Sequence, residues 1–225
     1  MTEIAIRSDM GVELIQTWGD DALVAKAARV STGRDQIENS KISGLINYLV
    51  SEGHHSTLEH CGLTFRFEAP LFVLGQFVRH RHISPNVQSG RYAKFEPVFY
   101  LPSPERPLVN AGTSARPELV PSGSAEVVTN SRFRQIQSAE DAYFYYQQLL
   151  EMGVANEVAR NVLPQSTYTS WYASANLRAW LHFLGLRNGS FGHPQYEIAD
   201  LAEQVEEHFE EHFPLVYAAW EKSRT

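Results

Sequence analysis

Four arginines or histidines stand in a row at Arg79, His80, Arg81 and His82, and the chain then runs through ISPNVQSG to Arg91 and Tyr92. Three separated cations (Arg79, Arg81, Arg91), paired imidazoles and the hydroxyls of Ser84 and Ser89 form a dense set of donors. An anionic, planar ligand suits such a set, because arginine's rigid fork matches phosphate and its face stacks on rings. Gln76 and Arg79 precede the segment on what reads as a helix end. Side chains and free backbone N–H groups can therefore converge there on one phosphate or pyrimidine.

Two further constellations carry chemistry. Gly53-His54-His55-Ser56-Thr57-Leu58-Glu59-His60 offers four metal-ligand types, yet lacks the HExxH order that puts two histidines on one helical face. No metal site is expected from it. In NLRAWLHFLGLR, Arg178 and His182 are one helical turn apart and share a face, whereas Arg187 falls nearly opposite Arg178. They should not serve the same ligand in the same subunit. Arg160, in VARNVLP, reads equally as an anion contact or as a surface ion pair on a short helix.

These groups need a scaffold, and the composition allows one. The chain has 225 residues, 43% hydrophobic and 12% aromatic, enough to bury a core as a single domain spanning 1–225. Net charge is −7, with Glu203, Glu206, Glu207, Glu210 and Glu211 gathered late and the arginines central. An anion site would be a local basic pocket on an acidic body, which argues against general nucleic-acid binding. No basic flank precedes an apolar run at the N-terminus and no apolar stretch is long enough to cross a bilayer, so a cytoplasmic protein is expected. The one cysteine, Cys61, excludes an intrachain disulfide and opens the alternating CGLTFRFEA run, where it reads as a small apolar filler.

The spacing predicts a helix opened by Asp20 or Asp21 and another over Ile42–Val50 stopped by Gly53. In LTFRFEA, Leu63, Phe65 and Phe67 alternate with polar residues as in a half-buried strand. Pro70 then starts a helix in PLFVLGQFVRHR. Between about residues 97 and 137, six prolines among Ser, Gly and Asn read as an excursion with mobile parts. Ser138 with Glu140 and Asp141 suggests a capped start for the helix AEDAYFYYQQLLEMG, whose aromatics pack between helices or subunits. A short helix ends at Pro164, STYTSWYASA reads as a strand, Asn176–Leu186 as a helix, and Ile198–Phe213 as an acidic amphipathic helix. Helix and strand without βα alternation point to an α+β fold with an antiparallel sheet flanked by long helices.

Arg79, His80, Arg81, Ser84, Asn86, Ser89, Arg91 and Tyr92 fill every fixed position of the signature RHRxxSxNxxSxRY. On these residues the chain resembles the flavin-dependent thymidylate synthases. The resemblance implies reductive methylation of dUMP to dTMP for dTTP synthesis, with FAD as cofactor, NADPH as reductant and 5,10-methylenetetrahydrofolate as one-carbon donor. It also implies a homotetramer with shared sites, and no membrane or nucleic-acid partner. It assigns Gln76, Arg79, Val87, Gln88, Ser89, Gly90, Arg91, Arg160 and Arg187 to dUMP. To FAD it assigns His54, Ser56, Glu59, Arg79, His80, Arg81, Val87, Asn176, Arg178 and His182, with Ser31 as a further candidate. Arg187 is the catalytic assignment, the arginine that activates the pyrimidine. His55 and His60 are left as ordinary polar residues. Val87 stands where some relatives carry an acidic side chain, so only backbone is expected of it. After Arg187, NGSFGHPQYEI is about two residues longer than the family pattern, which bears on His193.

Three alternatives follow from the residues themselves. Ser89 is a rival nucleophile, weak without a visible Ser-His-Asp relay. A metal-dependent phosphohydrolase would use His54–His60 with His80 or His82. A nucleotide- or RNA-binding module would rest on RHRH with Tyr92 and Phe95 as stacking groups.

Overall fold

The computed structural model describes residues 3–33, 38–114, 116–190 and 193–224. In chain order the elements are β1 (Ala5–Arg7), β2 (Gly11–Trp18), α1 (Asp21–Arg29), α2 (Asn39–Ser51), β3 (Gly62–Pro70), α3 (Leu71–Phe77), β4 (Ser84–Val87), β5 (Val98–Tyr100), β6 (Val109–Asn110), β7 (Leu119–Val120), α4 (Ala125–Glu151), α5 (Asn156–Ala159), β8 (Tyr168–Asn176), α6 (Leu177–Arg187), α7 (Tyr196–His212) and α8 (Pro214–Lys222). The fold class is α+β. The chain divides into two compact units, 1–9 with 69–72 and 88–169, and 10–68 with 73–87 and 170–225.

The larger, second unit holds the sheet, in the order β2-β3-β8-β4. β2 pairs antiparallel with β3, and β4 antiparallel with β8 from Ser84↔Ser174 to Val87↔Trp171. In β3, Leu63, Phe65 and Phe67 are buried and alternate with half-buried Thr64, Arg66 and Glu68, as the pattern of the sequence requires. The buried face meets α6, where Phe65 lies edge-on to Trp180 at 5.1 Å between ring centroids, while Phe67 stacks on Trp171 of the neighbouring β8 at 5.2 Å. This aromatic layer is the rigid floor that fixes α6, and with it Arg178 and Arg187.

Helix starts follow side-chain chemistry. Asp20 caps α1 by accepting the Leu23 N–H at 2.7 Å, and Asn176 caps α6 by accepting the Ala179 N–H at 3.0 Å. Asp21 accepts from both Leu215 and Val216 N–H, closing the N-terminus of α8. Gly53, at φ +70°, ends α2 in the left-handed region that favours glycine. Cys61 is fully buried against the backbone carbonyl of Asp20, consistent with a filler.

The first unit is built on α4. Tyr143 and Tyr146 bury against Phe95, Phe99, Ala139 and Ala159, and the Tyr146 hydroxyl accepts the Phe95 N–H at 3.2 Å. Its β1 and β5 pair in parallel, a small departure from the antiparallel expectation. The start of α4 corrects the reading at Ser138. The helix begins at Ala125, with Ser124 accepting the Val127 N–H, and Ser138 lies inside it. Neither Gly nor Pro interrupts 125–151, and extending an existing helix is far cheaper than nucleating a new one. The Pro-rich region therefore gives way to helix thirteen residues early, and among the described residues of 97–124 the regular elements are the short strands β5, β6 and β7.

Candidate functional site

In the second unit, α6 carries functional side chains on two sides. At its C-terminal end, Arg187 Nε donates to His80 Nε2 at 3.0 Å and Nη1 donates to Gln76 Oε1 at 3.4 Å. Gln76 in turn donates to Gln195, whose own Nε2 donates to Glu197 at 2.9 Å. His80 is buried, and burial first, then the nearby Arg187 and His182, lowers its pKa to about 4. It stands neutral at pH 7, as an acceptor from a guanidinium must. Burial also lowers the Arg187 pKa, but from so high a value that the cation persists.

On the other side of α6, Arg178 Nη1 donates to Glu59 Oε1 at 2.6 Å. Both partners are exposed, so the pair adds roughly 0–1 kcal/mol of stability and serves mainly to orient the guanidinium. Arg178 and Glu59 line a cavity of about 790 Å³ together with His55, Asn176, His182 and Trp220. A second hollow of about 500 Å³ is lined by Ser31, His54, Ser56 and Thr57, and it too reaches His55 and Arg178. The FAD assignments thus gather within this unit: Glu59, Asn176, Arg178 and His182 at the larger cavity, His54, Ser56 and Ser31 at the smaller. Leu58, Leu181 and Leu186 add apolar wall. Apolar surface with a cation, imidazoles and an amide suits a dinucleotide, whose rings are apolar and whose diphosphate is anionic.

Arg79 and Arg81 are exposed in the turns between α3 and β4 and line neither hollow, and Val87 is a strand residue opposite Trp171. α3 stops at Phe77, so the RHR run lies in turns: the His80 N–H bonds the Phe77 carbonyl and the Ile83 N–H bonds the His80 carbonyl. That turn is what sends His80 inward.

The signature's second half belongs to the first unit. Ser89 organises the Gln88–Tyr92 turn, its hydroxyl accepting the Arg91 N–H at 3.3 Å and its carbonyl the Tyr92 and Ala93 N–H groups. Its side chain thus has a local structural partner and no visible relay. A Cβ on Gly90 would lie 2.4 Å from the Phe95 ring and 3.0 Å from Arg160 Cδ. Only glycine lets the turn, Phe95 and the stem of Arg160 close together. Arg91 Nε donates to Glu157 at 2.7 Å. Arg160 makes no ion pair among the described residues. Gln88, Ser89, Gly90, Arg91 and Arg160 are thereby neighbours in one turn-and-helix corner.

The stacking reading loses half its platform: Tyr92 is 81% exposed, but Phe95 is 6% exposed and belongs to the core. Among the described residues no group of three or more His, Cys, Asp or Glu side chains is placed to hold a metal. His55, His82, Trp220 and Arg224 also line the larger cavity. Nothing in the spacing of Trp220 and Arg224 marks them, because Trp220 reaches it from α8 and Arg224 from just past its end, a stretch with no clear pattern in the sequence. The segment after Arg187 includes 191–192, outside the described residues; His193 is exposed.

With this geometry in view, the comparisons with known proteins are decisive. A model of the family described as thymidylate synthase complementing protein matches residues 13–215. The chain belongs to this family. Among its relatives, a flavin-dependent thymidylate synthase from Streptomyces avermitilis is 41% identical over 96% of this chain and 92% of that protein. One from Tropheryma whipplei is 37% identical over 96% and 93%. Among solved structures, the UMP/dUMP methylase PolB from Streptomyces cacaoi, bound with 5-Br UMP, matches with a TM-score of 0.91 and 38% identity over 99% of this chain and 98% of that one. A second PolB structure, bound with 5-Br dUMP, gives 0.87 and 36%. The match over 13–215 takes in parts of both units.

Proposed function

We propose that this protein is a flavin-dependent thymidylate synthase that methylates dUMP at C5, using FAD, NADPH and 5,10-methylenetetrahydrofolate. The reading is carried by the opposed placement of Arg178 and Arg187 on α6, one at a dinucleotide-sized cavity and the other held in a separate, half-buried hydrogen-bonding group. It is supported by relatives of that name at 41% identity and by a dUMP methylase of the same fold.

Forming the C5-methyl takes a one-carbon unit at the methylene level and two electrons; tetrahydrofolate and oxidised nicotinamide leave. When bound, reduced flavin supplies the hydride that brings the transferred carbon to the methyl level. Glu59, Asn176, Arg178 and His182, with His54, Ser56 and Ser31, hold that cofactor, and Arg79, His80, Arg81 and Val87 complete the assignment. Arg187 donates to the N3–C4 edge of the pyrimidine and stabilises the negative charge that develops there as C5 attacks, a role suited to a guanidinium that stays charged. Gln76, Arg79, Val87, Gln88, Ser89, Gly90, Arg91 and Arg160 are the further residues assigned to dUMP. Ser89 binds and does not attack. We read 1–225 as one catalytic domain and the working form as a cytoplasmic homotetramer. No helix among the described residues is long and apolar enough to cross a membrane.

The test is the absorption spectrum of the pure protein followed by product analysis with dUMP, NADPH and methylenetetrahydrofolate. Flavin bands and dTMP are expected; a colourless protein that neither takes up FAD nor makes dTMP ends the reading. The likeness to a UMP/dUMP methylase adds a second arm, in which UMP replaces dUMP and 5-methyl-UMP is sought.

A further inference from the structure

The Arg187 guanidinium has five N–H donors, and the protein uses the edge nearest its own stem. Nε–H goes to His80 Nε2 at 3.0 Å and Nη1–H to Gln76 at 3.4 Å. Among the described residues Nη2 has no protein partner. An arginine side chain at a helix end has several rotatable bonds, and holding it in one geometry without such contacts would cost side-chain entropy. His80 is itself fixed: the turn after α3 ties its backbone to Phe77, and its ring lies edge-on to Phe183 of α6 at 4.9 Å between centroids.

We propose that His80 is a positioning residue, whose unprotonated Nε2 accepts the Arg187 Nε–H and sets the guanidinium so that its Nη2 edge faces the pyrimidine. This rests on the role given to Arg187 above. Donor and acceptor counts fix which atoms can meet. Guanidinium has no acceptor, so a hydrogen bond to imidazole requires a bare nitrogen at Nε2 and places the ring proton on Nδ1. A protonated His80 would present a second donor and a second positive charge to Arg187. The titratable and charged groups facing His80 are Arg187 and His182, both on α6; no carboxylate is among the groups that shift it. The site therefore keeps the ring neutral. The assignment of Arg79, His80 and Arg81 to the dinucleotide is compatible with this, since His80 can serve it through its backbone or its Nδ1–H and Nε2 stays with Arg187.

The substitutions His80→Gln and His80→Asn separate this from general packing. Glutamine's amide oxygen lies as many bonds from Cβ as Nε2 does, whereas asparagine's lies where Nδ1 does. With flavin content equal by absorbance, His80→Asn should fall roughly 30- to 100-fold below His80→Gln in kcat, because displacing a reacting contact by about 1 Å costs on that order. KM for dUMP should move much less. Equal losses in both variants would overturn the proposal. A parent enzyme that makes no methylated product would instead overturn the functional reading, so the two failures are distinct. Nitrogen-15 NMR of histidine-labelled full-length protein, with His80→Gln as the assignment control, gives a readout independent of turnover. An Nδ1–H tautomer with bare Nε2 from pH 5.5 to 8 is expected, and an Nε2–H tautomer or an imidazolium in that range would overturn the assignment.

Discussion

Arg178 and Arg187 leave α6 on opposite sides: Arg178 meets Glu59 at 2.6 Å beside the large cavity, whereas Arg187 meets His80 at 3.0 Å. At about 100° per residue, the spacing from 178 to 187 turns the helix by two and a half rounds. Each substitution should therefore strike a different function. Arg187→Ala should lower dTMP formation by about 3–4 kcal/mol in the barrier, the usual cost of removing a donor at developing charge, while leaving bound flavin nearly unchanged. Arg178→Ala should release flavin first. Paired measurement of FAD content and saturated turnover checks this, and near-normal turnover in Arg187→Ala would move the activating role to Arg91 or Arg160.

Acid should weaken the folded protein through His80. Its folded pKa, about 4, lies below the 6.5 of an unfolded histidine. The unfolded chain then binds the proton first, so this stability is complete above pH 6.5 and is lost as pH falls toward 4. The window is worth at most about 3 kcal/mol, at 1.36 kcal/mol per pKa unit. Urea midpoints of the parent should fall between pH 6.5 and 4 more steeply than those of His80→Gln, and parallel curves would count against it.

Much of this was legible in the sequence where one rule dominated locally. Leu63, Phe65 and Phe67 alternate because β3 buries one face, and the opposed arginines of α6 follow from helical pitch alone. What stayed hidden depends on distant partners. Nothing near His80 in sequence announces that Arg187 lies against it, and β2 and α8 have short or mixed patterns that only their packing resolves. Ser138 misled because serine followed by acidic residues caps helices in general, while Ser124 had the better claim through its bond to the Val127 N–H. The division of the signature, with His80 folding in one unit and Arg91 in the other, is likewise a property of the contacts and not of the motif.

Association should be needed for activity. Phe133, Phe144 and Tyr145 on α4 are 59%, 44% and 56% exposed, while Tyr143 and Tyr146 of the same helix fill the core. Large aromatics exposed along one helix usually mark an interface. Sedimentation should show a tetramer, and charge introduced by Phe144→Glu with Tyr145→Glu should dissociate it and abolish turnover together. Full activity from a monomer would refute the shared-site reading.

Gly90→Ala should damage the dUMP site out of proportion to its size. The new methyl would meet the Phe95 ring at 2.4 Å and the Arg160 stem at 3.0 Å, and overpacking of this kind costs about 1–3 kcal/mol. Phe95 is buried against Tyr146 and yields little, so the Ser89–Arg91 turn and Arg160 must move. We expect KM for dUMP to rise with FAD retention unchanged; an unaltered KM would show that the corner does not touch the nucleotide.

The end of α6 is held by a polar cluster whose loss should reach Arg187 through the backbone. Asn188, 1% exposed, donates to Glu206 at 2.5 Å, and Tyr217 donates to the other carboxylate oxygen at 3.0 Å. Burial raises the Glu206 pKa, with Tyr217 and Asn188 opposing the shift and Glu221 and Glu203 adding to it. Asn188→Ala removes one opposing donor and leaves a buried carboxylate underpaired, which should cost about 1–3 kcal/mol of stability. Because the folded pKa is already above the unfolded one, the unfolded chain gives up its proton first, and the cost grows as pH rises from the unfolded carboxylate range up through the raised folded pKa. Glu206→Gln lifts that charge cost while keeping an acceptor for Asn188, so it should match or exceed the parent's stability above pH 5. Denaturation of both variants at pH 5 and 8 checks the sign. If Asn188→Ala is destabilised equally at both pH values, the cluster acts by packing alone; if its turnover also stays intact at full folding, the end of α6 does not need it to present Arg187.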